Sequence, residues 1–129
     1  MSDYESINPA QLMTPTGPWS HGLRIDAGKE MLFVTGQVAI GADGVIPEGA
    51  EAQAELVWAN LGAVLAAAGM EPKHIVRTGV YATSPEYLPI MNAVRNRFLG
   101  SARPATTVLV VPALANPKYL VEVDAIAAR

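Results

Sequence analysis

The run Tyr119-Leu120-Val121-Glu122-Val123-Asp124-Ala125-Ile126-Ala127 sets two carboxylates two residues apart in an otherwise apolar stretch. Side chains alternate between the faces of an extended strand. Glu122 and Asp124 therefore share a face with Leu120 and Ile126, and Tyr119, Val121, Val123, Ala125 and Ala127 take the other. Spacing alone leaves two readings open: solvated acids on an edge or surface face, or a pair of acids belonging to a site. A second group able to do chemistry is Arg103, in Ser101-Ala102-Arg103-Pro104-Ala105-Thr106-Thr107, a turn that runs into an apolar strand. On its own Arg103 reads as a surface or intersubunit ion-pair residue, since isolated arginines are usually exposed.

Composition excludes other chemistries. The chain has no cysteine, which removes disulfides, thiol nucleophiles, zinc-thiolate sites and iron–sulfur clusters and fits a reducing compartment. Nine basic and twelve acidic residues give a net charge of -3, with the basic residues scattered and Arg95 and Arg97 the closest pair. A nucleic-acid binder needs a clustered basic footprint and stacking aromatics, so no nucleic-acid partner is expected. The N-terminal MSDYESINPAQLMTP has acids and prolines in place of a signal peptide's apolar core, and no stretch reaches the length of a membrane span. The expected address is cytoplasmic, with no membrane partner.

The elements that must position these groups are legible in part. The 129 residues suit a single domain (1–129), with 1–16 as an irregular N-terminal segment. Residues 19–27 and 31–35 read as strands joined by a hairpin turn at Ala27–Glu30. Over 51–69, Val57, Leu61, Val64, Leu65 and Ala68 form one stripe of an amphipathic helix that Gly69 stops. A strand is expected over 74–83. A second helix begins at Ser84-Pro85-Glu86, with Tyr87, Met91, Val94 and Phe98 on its inner face. Pro89 implies a kink or a later start. Strands at 106–112 and 118–127 complete a β-β-α-β-α-β-β order, an α+β pattern with two helices on one face of a mixed sheet.

Four segments in order carry a resemblance: Gly17-Pro18-Trp19-Ser20-His21-Gly22, Phe33-Val34-Thr35-Gly36-Gln37-Val38, Met91-Asn92, and Arg103-Pro104-Ala105 together with Leu120–Ala127. From about Gly17 to the C-terminus the chain resembles the RidA/YjgF (Rid) family of enamine and imine deaminases. The resemblance implies a chorismate-mutase-like subunit, a homotrimer, and intersubunit clefts for a small-molecule substrate. It also implies hydrolysis of an imine, reached from the enamine, to a keto acid and ammonia, with no cofactor and no metal. Glu122 matches the family glutamate that positions water. Trp19 stands where the family has tyrosine, and Thr35 and Gly36 match its Ser/Thr-Gly pair. Asn92 matches its helix asparagine. Thr35 reads alternatively as a strand-end hydroxyl bonding backbone, and Asn92 as a loop cap. His21 is a further candidate near the pocket, and His74 reads as structural.

The departure is at Thr106. Deaminating members have arginine after Pro-Ala, and a neutral hydroxyl supplies neither its charge nor its fork. Arg103 is the candidate replacement, although an odd offset puts it on the opposite strand face. Two readings follow: an imine or enamine deaminase with Glu122 orienting water, whose substrate either carries no small carboxylate or uses a different anchor such as Arg103, or an arginine-less ligand-binding or regulatory trimer without that activity. A cation in the cleft separates them. An isomerase of the same architecture is less favoured, because a dianionic substrate needs more cations than this chain offers.

Overall fold

A computed structural model of the chain describes residues 4–129. Its elements are β1 (Tyr4–Ile7), β2 (Gly22–Ile25), β3 (Met31–Val38), α1 (Ala50–Ala67), β4 (Ile75–Ala82), α2 (Leu88–Leu99), β5 (Ala105–Val110) and β6 (Val121–Ala128). β3, β6, β4 and β5 form a mixed sheet in that order, parallel between β4 and β5 and antiparallel at its other two junctions. Among the described residues no helix is long and apolar enough to cross a membrane.

The strand alternation read from the sequence holds in β6. Val121, Val123, Ala125 and Ala127 are buried, and Glu122, Asp124 and Ile126 lie on the opposite, half-exposed face. The buried face packs against α1, where Val57, Leu61 and Leu65 of the expected stripe are buried together with Trp58, and Val64 and Ala68 lie at the margin. The α1 stop is a Schellman motif. The Met70 N–H donates to Leu65 O (2.8 Å) and the Gly69 N–H to Ala66 O (3.0 Å), with Gly69 at φ +70.

Three expectations need correction. Residues 1–16 are not wholly irregular: β1 pairs antiparallel with β2, Tyr4 opposite Ile25. The expected hairpin between the next two strands is absent. Its turn exists, with Gly28 at φ +86, but β2 joins β1 while β3 joins β6. A turn specifies reversal of the chain, whereas the partner is set by which inner faces are buried together, and Val34 lies opposite Ala125 of β6, both buried. The Glu30 and Arg129 backbones close that ladder reciprocally at 2.8 and 3.0 Å. Finally, Ser84 opens a short 3-10 turn over Pro85–Tyr87 and makes no side-chain cap bond. The α-helix begins at Leu88, which puts Pro89 in the first turn, where no N–H is needed.

One buried polar side chain ties the layers together. Gln53 of α1 donates through Nε2 to Pro47 O (3.0 Å) and Lys118 O (2.8 Å), and its Oε1 accepts the Leu120 N–H (2.8 Å). It thereby anchors the loop before α1 and the approach to β6. Gln53→Leu leaves these three backbone groups unpaired, and denaturant unfolding should show a loss of about 3 kcal/mol.

Candidate functional site

The segment before β2 folds back along β5. Ser20 bridges Ala105 in parallel register, its N–H donates to Pro104 O (3.2 Å), and its Oγ donates to Arg103 O (2.7 Å). A tight turn precedes it, with the Trp19 N–H on Gly17 O at 2.8 Å. His21 steadies the indole edge-on at 5.0 Å between ring centres, its own Nε2 hydrogen-bonded to Met13 O. On α2, Asn92, Arg95 and Asn96 follow at i, i+3 and i+4 and share a helix face. Between these elements lies a cavity of about 540 Å³ lined by Trp19, Asn92, Arg95, Asn96 and Thr106, a volume in the usual range for small-molecule sites.

The cation of this cavity is Arg95, which the sequence reading counted only among scattered basic residues. Arg95 is 8% exposed, its Nε is buried without a hydrogen-bond partner, and burial pushes its pKa down. Asn92 Oδ1 is likewise buried without a partner, so the expected loop cap is not formed through that atom. Arg103 does not line the cavity. Its Nη1 donates to Gly100 O (2.8 Å) and Ala102 O (2.7 Å), capping carbonyls beyond the α2 end. Those bonds hold Arg103 at the α2 end, ahead of β5, and not at Thr106. Thr106 does face the cavity, with its hydroxyl bonded to Thr78 Oγ1 (2.8 Å) and Pro104 O (3.1 Å). The signal that locates Arg95 is its helical spacing from Asn92.

Glu122, Gly36 and Thr35 form a second group, on the sheet face away from the helices. β3 bulges between Val34 and Gln37, and a Cβ at Gly36 would collide with the Glu122 carboxylate, so glycine is what lets that group lie over the strand. Among the described residues nothing donates to the Glu122 carboxylate. Burial, and secondarily the negative charge of Asp124, raise its pKa. Asp124 is a supporting acid: it accepts the Gly79 N–H (2.9 Å) and Tyr81 Oη–H (2.8 Å). That bond is the main cause of a raised Tyr81 pKa. Thr35 is exposed, and no hydrogen bond from its hydroxyl to backbone is present among the described residues.

The fold thus brings Trp19, Asn92 and Thr106 together and holds them apart from Thr35, Gly36 and Glu122, with the sheet between. His74 is structural, its Nδ1 accepting the Glu71 N–H at 2.9 Å. A hollow of about 600 Å³ at the start of α1 is lined by Glu48, Glu51 and Glu86 and holds no cation, so it makes a poor anion site. Among the described residues no group of three His, Asp or Glu side chains could hold a metal ion.

The family described as endoribonuclease L-PSP matches residues 10–129. Protein DfrA of Myxococcus xanthus is 36% identical over 125 residues, 95% of this chain and 94% of that protein. The 2-iminobutanoate/2-iminopropanoate deaminase of Mus musculus is 27% identical over 125 residues, 95% and 90% of the two chains. The crystal structure of the Rid-family protein YyfB from Yersinia pestis superposes with a TM-score of 0.87 at 34% identity, covering 98% of this chain and 99% of that one.

A carboxyl whose pKa is raised by folding destabilises the fold in its charged form. Its stability increment is present at low pH and lost as pH rises through the raised value. Glu122→Gln should therefore raise the unfolding midpoint at neutral pH, with the gain vanishing on acidification. The Glu122 Cδ resonance should titrate above the ordinary glutamate range, and Asp124→Asn should lower that midpoint only in part, because burial is the larger cause.

Proposed function

The chain belongs to the Rid (YjgF/RidA) family, described as endoribonuclease L-PSP, and from that membership we propose that it hydrolyses a small imine or enamine in a cleft shared by two copies of itself. The observation that carries this reading is the Glu122 carboxylate, laid over Gly36, unpartnered among the described residues and raised in pKa. Such a group holds a water by accepting its hydrogen bond and, with its basicity raised, takes a proton from it. The water oxygen bonds to the imine carbon as the C=N π pair moves to nitrogen. Glu122 returns the proton to that nitrogen, giving a carbinolamine. The carbinolamine hydroxyl then passes its proton through Glu122 to the nitrogen, the oxygen pair forms the C=O bond as the C–N pair leaves with nitrogen, and a carbonyl compound and ammonia depart. An enamine first moves a proton from nitrogen to carbon to reach the imine.

Two half-sites on opposite sides of one sheet need a second chain to meet. The face bearing Glu122 also carries Phe33, 72% exposed, and Leu109, 47% exposed, which a neighbouring copy would cover. Contact between this face and the Trp19–Asn92–Thr106 cavity of the next copy is heterologous, and closing it makes a ring. The trimer implied by the resemblance is the ring we assign. Thr106 supports the alternative of a ligand-binding trimer without hydrolysis, since its hydroxyl is already engaged by Thr78 and Pro104.

The test is keto-acid release from 2-iminopropanoate generated in situ by an amino-acid oxidase. The wild type should accelerate it over the spontaneous rate, and Glu122→Gln should lower that acceleration roughly 10²- to 10⁴-fold. The acid limb of the rate profile should lie above the ordinary glutamate range. No acceleration by the wild type would favour the ligand-binding alternative. Trp19→Ala and Glu122→Gln chains, each impaired alone, should regain activity when co-expressed, because mixing leaves about one cleft in four intact.

A further inference from the structure

A buried charge needs a counter-charge, and a buried polar atom needs a hydrogen bond. Arg95 and Asn92 violate both rules within one cavity. Arg95 is 8% exposed as a residue, its Nε is buried, and its guanidinium has no ion pair or hydrogen bond among the described residues; the Asn92 side-chain oxygen one helical turn away is orphaned as well. Neither group is accounted for by the fold. Removing a cation from water without a partner is costly, so the partner comes from outside the chain.

Two sources could supply it: a carboxylate side chain of a neighbouring copy, or a ligand. The polarity of the pair decides between them. A side-chain carboxylate has no proton to give, so it would satisfy Arg95 and leave the Asn92 oxygen unpaired. A small acid with an N–H or O–H beside its carboxylate satisfies both. The cavity also has room for such a molecule and offers the Trp19 indole as a flat wall. We infer that Arg95 is the specificity-determining anchor of this protein, gripping the carboxylate of a 2-amino, 2-imino or 2-hydroxy acid while Asn92 accepts its adjacent hydrogen. The anchor enters from helix α2, and Thr106 leaves the strand position free of charge. The inference rests on the cleft of the proposed function and not on its hydrolytic step.

The experiment is an NMR titration of the assembled wild-type protein with glycolate and anthranilate, alongside their neutral isosteres glycolamide and anthranilamide. The acids should saturate, and the amides should bind at least roughly tenfold more weakly. Arg95→Met should lose roughly 10- to 100-fold in affinity for the acids. Arg95→Lys, which keeps the charge without the fork, should fall between, and Arg103→Met should bind as the wild type does. Benzoate, which lacks the adjacent donor, should bind more weakly than anthranilate to the wild type and equally well to Asn92→Leu. The inference is overturned if neither acid saturates, if acids and amides bind alike, or if Arg95→Met keeps the wild-type affinity. Sedimentation of the same samples supplies a further check. If Arg95→Met and Arg95→Lys both dissociate the assembly, Arg95 belongs to an ion pair between copies. Retained acid binding with no imine hydrolysis would defeat the hydrolytic reading and leave Arg95 assigned.

Discussion

The alternation of side chains along β6 is the constraint on which the rest of this protein depends. The strand lies inside the sheet, flanked by β3 and β4, so both of its edges are hydrogen-bonded and its register admits no slip. One face, Val121, Val123, Ala125 and Ala127, is sealed against α1. The other must then present Glu122 and Asp124 away from the core. A slip of one residue would bury both carboxylates and expose the valines. The same packing that stabilises the domain therefore aims its acid.

Asp124 and Glu122 show how environment separates two identical functional groups. Asp124 is held by a backbone N–H and a tyrosine hydroxyl and buttresses the strand. Glu122 has no such donors, lies over a glycine, and feels the charge of its neighbour. Hydrogen bonds engage one carboxylate structurally and leave the other without a donor among the described residues. On the far side of the sheet Arg95 and Asn92 carry the complementary deficit, a donor and an acceptor left unsatisfied among the described residues. Groups left incomplete in an otherwise well-satisfied interior mark where something else is meant to bind.

Arg103 and Arg95 illustrate why a cation near a motif is a poor guide to a site. Arg103 adjoins the Pro-Ala motif, yet its guanidinium folds onto the carbonyls at the end of α2. Arg95 lies eleven positions before Thr106 and shares a cavity with it only because α2 and β5 both border that cavity. Chain proximity and spatial proximity are related within one element and unrelated across a crossover. Helical periodicity from Asn92 was the usable signal, and it operates only once the asparagine is known to face a cavity.

The amino-acid sequence by itself determined what periodicity and local chemistry can encode. The α1 stripe and its glycine stop, the two faces of β6, the pairing of Thr35-Gly36 with a strand, and the family likeness follow from residue types at short spacing. The placement of α2 was readable as a choice, since Pro89 permits a first turn and forbids an interior. Only the tertiary structure decided the partners: β1 with β2, β3 with β6, Trp19 beside Thr106, and Arg95 in the cavity in place of Arg103. Those depend on which surfaces can be buried against each other after long loops close, a global competition among faces that no local window contains.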